Sequence, residues 1–108
     1  MVSRVTLFGF ALAALLLTGT AEAGEHVVVQ KNTAFYPGEI TIKPGDAVVF
    51  KNEDGVVHNV FSVTKGVEFN LNIQQPGQSS SFTFPNEGRV EVRCVIHPAM
   101  KLVINVKK

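Results

Sequence analysis

Tryptophan is absent from the 108 residues, tyrosine occurs once and cysteine once. A single cysteine cannot close an internal disulfide, so a disulfide-stapled scaffold is excluded. The chain also lacks the tryptophan and the cysteine pair of the antibody-type sandwich, although its tally of short strands would fit an immunoglobulin-like domain. Neither charge sign dominates, with 10 Lys and Arg against 9 Asp and Glu and a net charge of +1. That balance is unlike a nucleic-acid footprint or a polybasic membrane patch, and no nucleic-acid partner is expected. Long apolar runs are scarce. The stretch from Val5 to Leu17 covers about 13 residues, short of a membrane span. The chain offers no Ser-His-acid grouping that can be placed, no phosphate loop and no carboxylates with a reason to converge. Glu53 and Asp54 read as a solvated loop. An enzyme is therefore not expected.

What is present begins with a processing signal. Met1 to Arg4 carries one positive charge, and the apolar run that follows has the length of a signal-peptide core. Ala21-Glu22-Ala23 has the small-x-small pattern that signal peptidase reads. These features predict a signal peptide over 1–23, cut after Ala23, and one domain over 24–108. An uncleaved N-terminal anchor is the competing reading. The domain, at about 85 residues, has room for one modest core, a size at which a disulfide or a metal often serves as a staple. A lone free thiol is a liability in an oxidising compartment. Metal ligation by Cys94 answers that problem; an intermolecular disulfide or a buried inert thiol are the alternatives.

The rest of the chain reads as short strands. Glycine and proline punctuate at short intervals, and no repeat or low-complexity tract interrupts them. His26 to Gln30 holds three consecutive valines and reads as a buried strand, broken at Phe35-Tyr36-Pro37-Gly38. Ile40 and Ile42 alternate with Glu39, Thr41 and Lys43. Pro44-Gly45-Asp46 carries proline and glycine in type II turn positions. Strands are also predicted over 47–51, 56–63 and 79–84, with 64–78 read as a long connection holding at most a helical turn or a short edge strand. Val90, Val92 and Cys94 share one face, and Met100, Leu102, Ile104 and Val106 share another. About seven strands with little or no helix predict two packed, mainly antiparallel sheets.

The chemistry concentrates in Cys94-Val95-Ile96-His97-Pro98-Ala99-Met100. Cys94 is the last inward residue of one strand and Met100 the first of the next. A tight loop can turn a thiolate, an imidazole and a thioether toward one point. His58 lies far away in sequence, at the start of a different strand. Two imidazoles and a thiolate with a weak axial thioether is the donor set of electron-transfer copper. Blander readings stand beside this one. His58 could be a core histidine, His97 a stray loop histidine and Met100 a core filler. His26 reads as solvated.

The chain resembles a cupredoxin, a type 1 blue-copper protein, of the plastocyanin and amicyanin group. Cys-x-x-His-x-x-Met at Cys94, His97 and Met100 has the short spacing of amicyanins. His58-Asn59-Val60-Phe61 is similar to the family segment around its first histidine ligand, and 35–46 is similar to its early hairpin. Val90, Val92 and Ile96 depart from the family pattern, which has aromatics before the cysteine and often a proline before the second histidine. Those departures bear on the subfamily and on whether the site is blue or green.

The resemblance implies a Greek-key β-sandwich with one copper ion, Cu(I) or Cu(II), held by His58, Cys94, His97 and Met100. Asn59 would tie the two ligand loops together and hydrogen-bond near the cysteine sulfur; an ordinary turn residue is the competing reading. The expected function is a soluble, exported, periplasmic shuttle of single electrons. Redox protein partners would dock transiently on an apolar patch near His97. A monomer without stable membrane insertion is expected. A periplasmic copper carrier or tolerance protein with the same ligands is the alternative, and a metal-free interaction domain is the third reading.

Overall fold

A computed structural model describes residues 22–108. Nine strands run in chain order: β1 (Glu25–Lys31), β2 (Ala34–Tyr36), β3 (Glu39–Ile42), β4 (Ala47–Asn52), β5 (His58–Ser62), β6 (Phe69–Gln74), β7 (Ser79–Thr83), β8 (Gly88–Arg93) and β9 (Lys101–Val106). They form a four-stranded sheet, β2-β1-β4-β7, and a five-stranded sheet, β3-β9-β8-β5-β6. The β1–β4 and β3–β9 pairs are parallel and the others antiparallel. No helix occurs among the described residues. The expected all-β sandwich is present. The expected signal peptide over 1–23 lies almost wholly outside the described residues.

Nine strands replace the expected seven. One addition is β2, joined to β1 by a two-residue turn in which Asn32 (φ 52°) and Thr33 (φ 51°) are both left-handed. That is the signature of a type I′ hairpin. Asn-Thr hides it, because threonine is a poor left-handed residue. The other addition is β6, in the segment read as a connection. Its side-chain phase breaks: Phe69 and Leu71 are half-buried, yet Ile73 is exposed and Gln74 buried. Left-handed Asn72 (φ 66°) and a register shift opposite Asn59 and Phe61 account for the break. A similar surprise falls in β1, where Val28 and Gln30 are buried while Val27 faces solvent.

The turn at 43–46 forms as predicted. Gly45 is left-handed (φ 94°), and the Asp46 N–H donates to the Lys43 carbonyl at 3.0 Å. Alternation holds along β8, and along β9 apart from Val103, which is buried as well. Val90, Val92, Leu102, Ile104 and Val106 are all buried, packed with Val28, Val48, Phe50 and Phe84 from the facing side. A polar fastener joins the sheets: the Gln74 side-chain amide donates to the Phe50 carbonyl (2.9 Å) and to Ser80 Oγ (2.8 Å).

This topology gives the sandwich two distinct poles. The end of β8, the start of β9 and the start of β5 meet at one. The starts of β1 and β4 and the ends of β3 and β9 meet at the other. There the Ala47 N–H donates to the Gly24 carbonyl (3.0 Å) and the Lys107 N–H to the Ile42 carbonyl (2.9 Å).

Candidate metal centre

At the first pole, Cys94 follows β8 and Met100 precedes β9, so five residues, 95–99, make the whole connection. The Met100 N–H donates to the His97 carbonyl at 2.9 Å and tightens the loop. Cys94 and Met100 are buried and His97 is half-buried. β5 lies beside β8, with Phe61 opposite Arg93. That pairing carries fully buried His58 to the loop. The ligand atoms of His58, Cys94 and His97 all lie within 4.8 Å of one another. Met100 is buried in the adjoining core, the position that both of its expected roles require.

The two nitrogens of His58 have unlike surroundings. Nε2 is 2.9 Å from Asp54 Oδ2. Nδ1 is buried with no hydrogen-bond partner. Buried ring nitrogens are normally paired, and an orphan of this kind marks a missing partner. With Nε2–H donated to a carboxylate, Nδ1 carries the lone pair. Cys94 Sγ lies 3.9 Å from His97 Nδ1, and the two imidazole rings stand edge-on with centroids 4.9 Å apart. A sulfur-to-nitrogen separation of 3.9 Å is long for a hydrogen bond and suits two donors facing one ion. A soft thiolate beside two imidazoles fits copper.

Asn59 does what the resemblance implied. Its backbone N–H donates to Cys94 Sγ at 3.2 Å, and its side-chain oxygen accepts the Val95 N–H at 3.2 Å. Its amide nitrogen donates to Asn70 Oδ1 (2.9 Å) and to the Asn72 carbonyl (3.1 Å). One buried side chain thus spans the His58 strand, the Cys94 loop and β6, which is more than a turn residue does. Such outer contacts orient ligands and tune the metal.

Asp54 corrects a sequence expectation. It is not a free member of a solvated loop. The Asp54 N–H donates to Asn52 Oδ1 (2.9 Å), while the Asn52 side chain donates to the Val56 and Gln74 carbonyls. This folds the loop back so that Asp54 Oδ2 receives the Thr33 N–H (2.9 Å) as well as His58. The Thr33 N–H and then His58 hold its carboxyl down to about 2. The only sequence signal was an acid four residues before the histidine, and that spacing alone names no contact. His26 is likewise not simply solvated. Its Nε2 is 2.9 Å from Asp46 Oδ2, at the far pole from the centre.

Around half-buried His97 the surface is apolar. Val95 (62 % exposed), Ile96 (41 %) and, from β6, Ile73 (51 %) stand out with exposed Pro98 and Ala99. The bulge at Asn72 is what turns Ile73 outward.

Comparison with known proteins agrees with this geometry. Residues 23–107 match the family described as copper binding proteins, plastocyanin/azurin family. Amicyanin-alpha of Methylorubrum extorquens is 32 % identical, over 91 % of this chain and 94 % of its own. The methylamine utilization protein MauL of the same organism is 31 % identical, over 90 % and 84 %. Among solved structures, a reduced amicyanin variant superimposes with a TM-score of 0.73 at 26 % identity, covering 81 % of this chain and 86 % of that one. The chain belongs to the copper-binding plastocyanin/azurin family and is a cupredoxin of the plastocyanin and amicyanin group.

Proposed function

We propose that this protein is an exported single-electron carrier whose copper is held by His58, Cys94, His97 and Met100. The observation that carries the reading is the buried, unpartnered Nδ1 of His58 beside Cys94 and His97. Copper bound there supplies a one-electron Cu(II)/Cu(I) couple. His58 and His97 would present nitrogen, Cys94 the thiolate and Met100 the thioether to the ion. Asn59 and Asp54 hold these groups in place, so the donor set changes little between oxidation states. Four protein donors leave no open position for a substrate, which supports electron carriage over turnover.

The apolar patch of Ile73, Val95, Ile96, Pro98 and Ala99 is the docking surface in this reading. A patch of that size suits short-lived association with redox protein partners, as small interfaces release quickly. The protein works as a monomer. Export to a periplasm rests on the apolar run from Val5 to Leu17 and the Ala21-Glu22-Ala23 site.

The test is repeated redox cycling in the presence of a Cu(I) chelator. A carrier of electrons keeps its copper and its full signal through many cycles. Loss of Cu(I) to the chelator faster than electron exchange would favour copper delivery instead.

A further inference from the structure

The far pole holds a second group of nitrogens that the copper centre does not use. Gly24, Glu25 and His26 are consecutive. The Gly24 nitrogen donates to Asp46 Oδ1 at 2.7 Å, and His26 Nε2 meets Oδ2 of the same carboxylate at 2.9 Å. Asp46 is buried, and its carboxyl is held down to about 2 by His26 and by the Gly24 and Lys43 N–H groups. A charged carboxylate takes Nε2–H from the ring. His26 Nδ1 then carries the lone pair. One acid therefore sets the tautomer of His26 and gathers the Gly24 nitrogen to the same side.

Cutting after Ala23 turns the Gly24 nitrogen from an amide into a primary amine. The new terminus reads Gly-Glu-His, with histidine third. The amine, the Glu25 and His26 amide nitrogens and His26 Nδ1 then form a chain of four nitrogens. It closes two five-membered rings and one six-membered ring around one ion. A planar set of four nitrogens is the preference of Cu(II) and Ni(II). We propose that the processed amino terminus, Gly24-Glu25-His26, is a second metal site for Cu(II) or Ni(II), with Asp46 setting the His26 tautomer that leaves Nδ1 free. The inference rests on the cut expected after Ala23, not on the copper centre.

Binding releases the amine and amide protons to solvent and leaves the His26–Asp46 contact in place, as Nε2 is not a donor to the metal. The amine leaves Asp46 Oδ1 for the ion. The His26 amide nitrogen must turn out of the ladder with β4 to face the ion, so pairing opens over the first two residues of β1. β1 pairs with β2 only from Val29 onward, so at Glu25 and His26 its neighbour is β4 alone. The Ala47 N–H bond to the Gly24 carbonyl uses an oxygen that the metal does not need. An open cavity lies beside Gly24, His26 and Asp46; Glu22, which the cut removes, forms part of its wall, and Lys43, Lys107 and Lys108 stand at its other side.

The test uses the exported protein with its copper centre already filled, titrated with Ni(II) and followed by visible absorption and proton release. Intact mass first establishes the terminus. One equivalent of Ni(II) should bind in the square-planar form while the copper spectrum stays unchanged. Uptake should be lost in His26→Ala and in a chain that retains Ala23 before Gly24. No uptake by the Gly24 chain, or equal uptake by the Ala23-extended chain, would overturn the site. So would a mature terminus other than Gly24. None of these results touches the electron-carrier reading, whose copper lies at the opposite pole.

Discussion

His58 is gripped at one nitrogen and open at the other, and the grip comes from Asp54. Removing the grip leaves the ligand but frees its ring to turn. Asp54→Ala should weaken copper binding about 10–100-fold, the usual cost of losing a partner behind a metal-ligating histidine. Competition against a calibrated chelator reads the change, and wild-type affinity in the variant would refute the role given to Asp54. At this scale the sequence was legible where chemistry is local. Cys94, His97 and Met100 announce themselves within one loop. His58 needed the β5–β8 pairing to become a neighbour, and only the family resemblance supplied that. Asp54 stayed hidden because its position depends on Asn52 closing the loop, a contact with no sequence spacing of its own.

Among the elements, the β1–β2 hairpin stores strain in the service of the centre. Thr33 is left-handed, which costs a β-branched residue on the order of 1–3 kcal/mol. Its N–H nevertheless reaches Asp54. Glycine keeps that N–H and loses the strain, and Asn-Gly is a favoured type I′ pair. Thr33→Gly should therefore raise the stability of the apo-protein by about 1 kcal/mol in urea unfolding. A destabilised variant would show that threonine makes a contact worth more than its strain. The turn at 43–46 makes a second prediction. Asp46 sits at about 2 against an ordinary 3.8, so the folded state binds fewer protons than the unfolded chain. Its contribution is complete above about pH 4 and is lost as pH falls toward 2. Asp46→Asn should flatten the loss of stability across that window, leaving a residual slope from Asp54. An unchanged slope would contradict the assignment. β8, with clean alternation, was readable beforehand, as was β9 apart from buried Val103. β2 and β6 were not, because a threonine in a glycine position and a bulge at Asn72 break the patterns that reveal them.

Across the whole molecule, the sandwich gathers His58, Cys94 and His97 at one pole and Asp46 with the start of β1 at the other. The near balance of charge, +1 overall, predicts only modest long-range steering toward partners. Association through the Ile73, Val95 and Ile96 patch should change little between low and physiological salt, and a steep fall in rate would point to a charged docking surface. The all-β, two-sheet class was legible from short alternating strands, while the cupredoxin architecture came from the family resemblance. The grouping of Cys94 with His97 was legible from one loop, and His58 joined them through the fold.

The most direct measurement is a Cu(II) titration of the purified apo-protein, followed in the visible. One equivalent should produce an intense thiolate-to-copper band that is absent from Cys94→Ser. A colourless titration, or a band that survives in Cys94→Ser, would contradict a copper centre built on Cys94, His58 and His97.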